Sequence, residues 1–428
     1  MKDYKKLLII SHNCLSKNGS NGRTLSNYLR GWPKDKIAQL YIHPEQPDFD
    51  ICEDYFCLTD SSVAKSVIKR TPAGYTVEKP QSAVSEKTAE IKEENIPQKK
   101  PHKNSLVYLA REFVWRSNLW NKSKLNRWVE NVQPEVILVQ AGDAGFLFEL
   151  ALTVSKKFSA PIVVYNTEGY YFKKKSYLPE NKISSIFYPV LNCVFKKSYD
   201  KLVKGSKAQV YNCDLLGDDY DKLYGNKSFV IMNTSEFTEE EVCLTKKNKI
   251  VYAGNLGLLR HKSLIEFANA LQKVSPETVV DVYGKVPNEN VKAELENCKG
   301  IRFNGFIPYE ELKGILRESK YLLHIESFEP FYKEDLKYAF STKIADNLAV
   351  GCCLFVYAPE NMAVIQYLKG KNAAVLITEQ SELEAEIMNA LNDINVYENC
   401  SQNSRMLAEQ NHNIKINKEA FQLLLSED

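Results

Sequence analysis

The sequence predicts an α/β protein of two doubly wound domains, each a parallel sheet covered by helices on both faces. Two observations predict this class. Short apolar runs of strand length alternate with segments of helical periodicity along most of the chain. The chain also has 428 residues, well beyond the roughly 250–300 residues at which a single core stops growing, so two domains are expected.

Composition excludes several classes of protein. Hydrophobic residues make up 44% and charged residues 26%, as in ordinary globular proteins. The 56 basic and 54 acidic residues leave a net charge of +2, which argues against a general polyanion-binding protein. The ten cysteines are dispersed without a Cys-x-x-Cys pair, which disfavours a zinc or disulfide framework and favours a reducing cytoplasm. No long apolar window or cleavage site is present, so the chain is predicted to be neither secreted nor membrane-spanning.

The N-terminal domain is predicted over residues 1–240. The stretch 71–104 is rich in Pro, Lys, Glu and Ser and is interpreted as a disordered insertion. The remaining residues alternate between apolar runs and helical patterns. The apolar runs are Leu7–Ile10, Ile37–Tyr41, Tyr55–Leu58, Val136–Val139, Ile162–Tyr165 and Phe229–Met232, and the clearest helical patterns are Thr24–Leu29, Gly145–Phe158 and Ile183–Tyr199.

The C-terminal domain is predicted over residues 241–428, after a polar hinge at 234–248. A helical segment follows each of its predicted strands, and the last helical pattern, Lys418–Leu425, is able to pack back on the N-terminal domain. The predicted strands are Ile250–Ala253, Val279–Tyr283, Ile301–Phe303, Tyr321–Ile325, Leu354–Val356 and Ala374–Ile377.

The segment 340–351 contains the sharpest motif. Ser341 and Thr342 are good N-cap residues, and the backbone N–H groups of a helix start suit a phosphate. Lys343 and Asp346 lie three residues apart on one helix face, where a cation fits the phosphate and a carboxylate accepts from ribose hydroxyls. The alternative is an ordinary capped helix with surface charges.

This segment resembles the GT-B-type glycosyltransferases, in particular the retaining, nucleotide-sugar-dependent group that includes bacterial polysaccharide transferases. In that group a Thr-Lys-x-x-Glu-x-Leu-Ala-x-Gly helix holds the donor diphosphate at its N-terminus and the ribose with its Glu. The chain matches through Thr342, Lys343 and Leu348-Ala349-x-Gly351, with Asp346 in place of the Glu.

The resemblance covers most of the second domain. It gives Arg260 and Lys262, after the first strand and loop, the role of binding the diphosphate; a solvated basic loop is the alternative. Basic donors aimed at a departing dianion are a strong source of catalysis. The resemblance also implies that Gly284, Phe306 and Ile307, in loops after the next two strands, cradle the base. Taken alone, these glycine loops are plain turns.

Carboxylates complete the implied site. A Glu-x-seven-Glu spacing joins Glu326 and Glu334, but alignment of residues 348–351 moves the second position to Asp346. Glu326 then remains the group that the resemblance places on the donor sugar.

In the first domain, Gly22 belongs to a loop that the resemblance places against the donor and acceptor, where glycine permits close approach to phosphate. Asp143 follows a buried strand and is a candidate catalytic group on the acceptor side. A turn and a loop cap are the respective alternatives.

Lysines bracket the apolar run Ile183–Phe195 within the region 173–207. A helix with this pattern is able to lie on an anionic leaflet. The alternative is a core helix with solvated flanks.

Together these features predict an enzyme that moves a sugar from a nucleoside-diphosphate-sugar donor to a hydroxyl acceptor, either a glycan or a lipid-linked molecule. The resemblance implies retention of configuration and a role in bacterial cell-surface polysaccharide synthesis. No cofactor beyond the donor substrate, no metal site and no nucleic-acid partner are expected. The expected location is the cytoplasm or the inner face of the cell membrane. Two alternatives stay open: a sugar-nucleotide epimerase of the same fold, and a non-catalytic nucleotide-sugar-binding paralogue.

Overall fold

The computed structural model describes residues 4–16, 20–79, 104–176, 182–225 and 228–427. The chain divides into two compact units. The first comprises residues 1–166, 170–210 and 422–428, and the second comprises residues 167–169 and 211–421. This division differs from the predicted boundary after residue 240, because residues 211–240 group with the second unit and the last seven residues with the first.

The first sheet is mostly parallel and is fed by short crossover helices. Its strands are β1 (Leu7–Ser11), β2 (Ile37–Tyr41), β3 (Asp54–Cys57), β4 (Tyr75–Val77), β5 (Val136–Ala141), β6 (Ile162–Asn166), β7 (Ala208–Tyr211) and β8 (Phe229–Val230). The helices along this part of the chain are α1 (Ser20–Leu29), α2 (Asp60–Lys69), α3 (Ser105–Arg116), α4 (Ser123–Val132), α5 (Gly145–Phe158), α6 (Tyr188–Gly205) and α7 (Asp214–Tyr224).

The strand order of this sheet is β4-β3-β2-β1-β5-β6-β7-β8. Strand β1 pairs in parallel with both β2 and β5, whereas β3 and β4 are antiparallel. Every residue of β1, β2, β5 and β6 is buried. Burial on both faces explains why these strands read as continuous apolar runs in the sequence.

The stretch predicted as a disordered insertion begins with ordered residues. Strand β4 lies inside it and pairs with β3, and Pro72 forms an isolated bridge with Asn121. Tyr75 and Val77 supply the β-branched and aromatic content that favours this edge strand. The prediction is therefore wrong for residues 71–79, and residues 80–103 lie outside the described part of the chain.

The second sheet is parallel throughout, and all six of its predicted strands are confirmed. Its strands are β9 (Lys247–Ala253), β10 (Val280–Tyr283), β11 (Ile301–Gly305), β12 (Ser319–Ile325), β13 (Cys353–Tyr357) and β14 (Val375–Ile377), in the order β11-β10-β9-β12-β13-β14. The helices that follow are α8 (Arg260–Val274), α9 (Glu289–Glu296), α10 (Tyr309–Glu318), α11 (Pro330–Asp335), α12 (Lys343–Ala349), α13 (Ala363–Leu368), α14 (Leu383–Asn392), α15 (Ile394–Asn411) and α16 (Ile414–Ser426).

Both sheets reverse their strand order once. The reversal falls between β1 and β5 in the first sheet and between β9 and β12 in the second. At such a point the crossovers on either side leave to opposite faces, which opens a crevice at the carboxyl ends of the two strands. Functional groups are therefore expected directly after β1, β5, β9 and β12.

The end of the chain is anchored by α16. In the first unit, Gln422 Nε2 donates to the backbone carbonyls of Tyr28 and Arg30, at 2.9 and 3.1 Å. Among the described residues, no helix combines the length and the apolar composition that a membrane span requires.

A buried histidine stabilises the second unit. His412 has no exposed surface, and its Nδ1 lies 2.7 Å from the Asn233 carbonyl oxygen. Because that oxygen can only accept, Nδ1 carries the proton and Nε2 accepts from the Tyr367 hydroxyl at 3.0 Å. Burial lowers the pKa of His412 to about 4, so the imidazole is neutral in the folded protein.

Acid is expected to destabilise the protein through His412. The unfolded chain has a histidine pKa near 6.5 and takes up the proton first, so the free energy of unfolding falls as the pH drops from about 6.5 towards 4. The shift corresponds to about 3 kcal/mol for this group. Chemical denaturation between pH 7.5 and 4 measures it. His412→Gln is expected to give a flatter profile in that window, and an unchanged slope would contradict this assignment.

Candidate functional site

The loops after β9 and β10 lie unusually close together. Gly254 N donates to the Tyr283 carbonyl at 2.9 Å, and a Cβ on Gly284 would lie 1.7 Å from the Gly254 carbonyl oxygen. Only glycine fits at position 284. The loop then passes through Leu258 and Leu259, both left-handed with φ of 57° and 60°, before α8 begins. Left-handed angles in residues other than glycine cost energy, and they persist where the surrounding structure holds a loop in one conformation, often at a functional site.

Arg260 and Glu326 form an ion pair at the strand-order reversal of the second sheet. Arg260 opens α8, and Glu326 directly follows β12. Arg260 Nε donates to Glu326 Oε2 at 2.8 Å, and the two side chains are only 16% and 5% exposed. Within the described ranges the guanidinium makes no other side-chain hydrogen bond, so its terminal amino groups remain available to a ligand. Sequence reasoning had named both residues but not their pairing.

His324 completes this cluster. Its Nε2 lies 3.3 Å from Glu326 Oε1. Burial raises the pKa of Glu326, but the adjacent His324 imidazole and the charge of Arg260 outweigh burial and hold this pKa below its usual value. Glu326 is therefore an anion that fixes the orientation of Arg260. Contact between Glu326 and a donor sugar, which the resemblance implies, stays a prediction.

Lys262 has a different environment from Arg260. Its side chain is exposed, and Nζ lies 2.7 Å from Glu329 Oε1 at the surface. An exposed pair of this kind contributes little stability, so Lys262 is free to exchange Glu329 for another anion.

Helix α12 covers seven residues from Lys343, and its N-cap is Thr342, as the sequence predicts. Thr342 has αR backbone angles, not the extended angles typical of a capping residue, and makes no side-chain capping bond. Ser341 Oγ accepts only a long bond, at 3.4 Å, from Lys343 N.

Asp346 is buried, contrary to the alternative of a solvated surface charge. Ser235 Oγ donates to its Oδ1 at 2.6 Å and Tyr309 OH to its Oδ2 at 2.9 Å. These two hydroxyl groups hold the carboxylate in one orientation, and its contact with donor ribose hydroxyls stays a prediction.

Phe306 and Ile307, which are predicted with Gly284 to cradle the base, have different exposures. Phe306 is 63% exposed after β11, with Lys285 Nζ 4.6 Å from its ring centroid, and Ile307 is half-buried. An exposed aromatic ring held by a lysine offers a flat surface for stacking.

The first sheet carries a second pair of ionisable side chains at its own strand-order reversal. His12 directly follows β1, and its Nε2 lies 3.0 Å from Oδ1 of Asp143, just after β5. Sequence reasoning named Asp143 but missed His12. Their adjacency depends on the pairing of β1 with β5, which no local signal in the sequence encodes.

Neighbouring residues hold the His12 ring in place. A Cβ on Gly142 would lie 2.3 Å from His12 Cε1, so glycine leaves the space that the imidazole fills. Buried Gln39 on β2 fixes the loop after β1: its Nε2 donates to Ser11 Oγ and its Oε1 accepts from Leu15 N, both at 2.8 Å. The signal that sequence reasoning missed is a glutamine within an otherwise apolar strand.

A small cavity of about 40 Å³ adjoins this pair. Asp143 is part of its wall. Four of the eight other lining residues are aromatic, namely Tyr108, Tyr170, Tyr188 and Phe195. Small-molecule sites also combine aromatic and polar groups, but they usually enclose about 300–1,000 Å³, so this cavity takes only a small group.

Gly22 lies in the first turn of α1, where a Cβ would be 2.5 Å from the Cys14 carbonyl oxygen. The glycine is therefore needed for packing against residues 14–16. Its contact with a phosphate stays a prediction. Residues 17–19 of the predicted loop lie outside the described part of the chain.

Comparisons with known proteins identify the fold. No protein-family profile matches the sequence, and the search of curated proteins finds no match. Solved structures do match. Anabaena Alr3699/HepE in complex with UDP has a TM-score of 0.64 at 12% identity, over 98% of this chain and 99% of that one. Sucrose-phosphate synthase from Thermosynechococcus elongatus has a TM-score of 0.61 at 10% identity, over 98% of each chain. WaaG, a glycosyltransferase involved in lipopolysaccharide biosynthesis, has a TM-score of 0.53 at 10% identity, over 97% and 99%.

These similar structures are GT-B glycosyltransferases. At such low identity the likeness concerns the fold, which agrees with the two sheets of mostly parallel strands and their flanking helices. The chain has the GT-B glycosyltransferase fold.

Proposed function

We propose that the chain is a glycosyltransferase that moves a sugar from a nucleoside-diphosphate donor to a hydroxyl acceptor. The observation that carries the proposal is Arg260, fixed by Glu326 at the strand-order reversal of the second sheet with its terminal amino groups available. The similar HepE structures hold UDP or UDP-glucose, which supports a uridine nucleotide as the first donor to test.

On the donor side, the departing diphosphate carries the charge that develops in the reaction. Arg260 is pre-oriented to receive it, and Lys262 joins by exchanging its surface partner Glu329. Hydrogen-bond donors that are already in position lower the activation barrier, because they need no reorganisation as the charge develops. Phe306 stacks on the base, and Asp346 accepts from the ribose hydroxyls.

On the acceptor side, the His12–Asp143 pair binds the hydroxyl that attacks the sugar. The carboxylate fixes the imidazole, whose ring is still 14% exposed, and the aromatic cavity beside Asp143 receives part of the acceptor. Holding the acceptor oxygen in position accounts for the catalytic contribution of the pair.

The finer properties rest on the resemblance. We propose retention of configuration, independence of divalent metal, and a cell-surface glycan or lipid-linked molecule as acceptor, with the enzyme working on the cytoplasmic side. Arg260 and Lys262 support metal independence, because they supply the positive charge that a metal ion would otherwise bring to the diphosphate.

The first test combines donor binding and turnover. Wild-type protein is titrated with UDP by calorimetry, and UDP release from UDP-glucose, UDP-galactose and UDP-N-acetylglucosamine is followed with water as acceptor. Binding and release are expected to persist in EDTA, and NMR of the first sugar product is expected to show the donor's anomeric configuration. Loss of activity in EDTA with recovery on adding manganese would contradict metal independence. UDP binding without release from any donor would favour the non-catalytic alternative, and an epimerised donor would favour the epimerase.

Asp346→Asn is expected to weaken UDP binding by about ten- to a hundredfold. A hydrogen bond to a charged group contributes about 1.5–3 kcal/mol, and the substitution removes the charge. The side-chain oxygen of the introduced Asn still accepts from Ser235 or Tyr309. Ser235→Ala is the matched control, since it removes one contact of the buried carboxylate but leaves its charge. Dideoxy-UDP, which lacks the ribose hydroxyls, should bind wild type and Asp346→Asn equally. Unchanged UDP affinity in Asp346→Asn would mean that the ribose is bound elsewhere.

His12→Gln is expected to lower turnover of the donor by about 10- to 100-fold while UDP affinity stays within twofold, because the pair positions the acceptor and not the nucleotide. Gly142→Ala should reproduce part of the loss, since its Cβ would displace the His12 ring. His43→Gln is the control: its ring centroid lies 5.7 Å from that of His12, but it forms no ion pair with Asp143 within 4 Å. Equal turnover in wild type and His12→Gln would remove the pair from the site.

A further inference from the structure

Large apolar side chains are exposed on three neighbouring elements of the first unit. They come from α3, the 3₁₀ turn Ser184–Phe187 with its N-cap Ile183, and the start of α6, and α3 packs against both of the other elements. Scattered exposed apolar residues are normal, but several on adjoining elements indicate an interaction site. The members are Leu106, Val107, Phe113, Ile183, Ile186 and Val190, of which Phe113, Ile183 and Ile186 are 69%, 69% and 70% exposed.

The spacing of the later members places them on a single helical face. Ile183, Ile186 and Val190 follow one another at intervals of three and four residues, and the same face continues through Cys193. The opposite face of α6 supplies core residues such as Phe195, Tyr199 and Leu202. The outer side of the segment is therefore apolar from Ile183 to Cys193, whereas the outer face of a helix in a globular domain is usually polar.

Lysines surround this apolar surface. From residue 182 to residue 205 the chain contains five lysines and one aspartate, although the whole protein carries a net charge of only +2. Lys197, Lys201 and Lys204 continue the exposed face of α6 beyond its apolar part, and Lys174, Lys175 and Lys182 are exposed before it. An apolar face with cations at both ends is complementary to an anionic lipid surface, where chains and phosphates lie at adjacent depths.

We propose that this surface, which we call the α3–α6 face (106–113 and 183–204), docks the protein on an anionic lipid bilayer. Ile183, Ile186 and Phe113 enter the boundary between headgroups and acyl chains, while the lysines at either end of the run contact lipid phosphates. This inference rests on the proposed function, because it names the lipid bilayer as the place where the enzyme meets its acceptor. Binding to vesicles itself does not depend on donor chemistry.

Co-sedimentation of the full-length protein with vesicles tests the proposal. Vesicles of phosphatidylcholine alone are compared with vesicles that contain 30% phosphatidylglycerol, at 20 mM and 500 mM salt. Binding is expected only with the anionic vesicles and is expected to weaken strongly at high salt, since screening shortens the reach of the lysines. No co-sedimentation with anionic vesicles at low salt would overturn the proposal.

Variants of the α3–α6 face separate the apolar and the charged contributions to vesicle binding. Ile183→Ser with Ile186→Ser is expected to reduce the vesicle partition coefficient by at least tenfold. Lys182→Glu with Lys197→Glu is expected to reduce it by at least about twentyfold, since each lysine near a charged membrane contributes about fivefold. Helix α2 of the same unit provides matched controls, because Ile68 is 82% exposed and Lys65 and Lys69 are exposed beside it. Ile68→Ser and Lys65→Glu with Lys69→Glu should bind like wild type.

Two further results would contradict the proposed docking surface. If the α3–α6 variants and the α2 variants bind vesicles equally, attraction is general and the proposed face is wrong. If light scattering shows a wild-type dimer that Ile183→Ser with Ile186→Ser converts to a monomer, and vesicles are not bound, the face is an interface between copies of the chain. UDP titration of the same samples keeps the two proposals apart: UDP binding without vesicle binding rejects only the docking surface, and the reverse rejects only the donor site.

Discussion

The reversal of strand order in each parallel sheet is the constraint on which the site depends. Only where the crossovers leave to opposite faces do two adjacent strand ends stay uncovered. Each sheet puts one pair of ionisable side chains there: His12 with Asp143 after β1 and β5, and Arg260 with Glu326 after β9 and β12. The two pairs are far apart in sequence and chemically different, yet they occupy equivalent places in their sheets. The topology thus explains why both units have an ionisable pair at the carboxyl ends of their strands.

Burial fixes the orientation of the carboxylates in the second unit, because each buried carboxylate needs a partner. Glu326 is almost fully enclosed, and a buried carboxylate without a partner is strongly destabilising. Arg260 and His324 satisfy it, and in doing so Glu326 fixes the direction of the guanidinium. Asp346 follows the same rule with neutral partners, since two hydroxyl groups donate to its two oxygens. Each carboxylate is thereby held in one orientation before any ligand arrives, which is the condition for electrostatic stabilisation without reorganisation.

Helix α6 shows how two interpretations of one segment combine. Its sequence fits both a core helix and a helix on a lipid surface, and local periodicity does not separate them. In the structure the inner face of α6 packs into the first unit. The 3₁₀ turn before α6 exposes Ile186, and the outer face of α6 exposes Val190 and then lysines. The neighbouring exposed residues of α3 were not predicted, because they join this surface only through tertiary packing.

The sequence by itself determined the strands and most of the helices, because apolar runs and helical periodicity are local properties that burial on two faces imposes. It also indicated Arg260, Glu326 and Asp346 through the resemblance of their motifs and of their positions after strands to a known family. Tertiary structure alone decided the rest. His12 meets Asp143, and Arg260 meets Glu326 across 66 residues, because β1 pairs with β5 and β9 with β12. Strand order arises from long-range packing, so the partners of these charged groups cannot be determined from any local stretch of the chain.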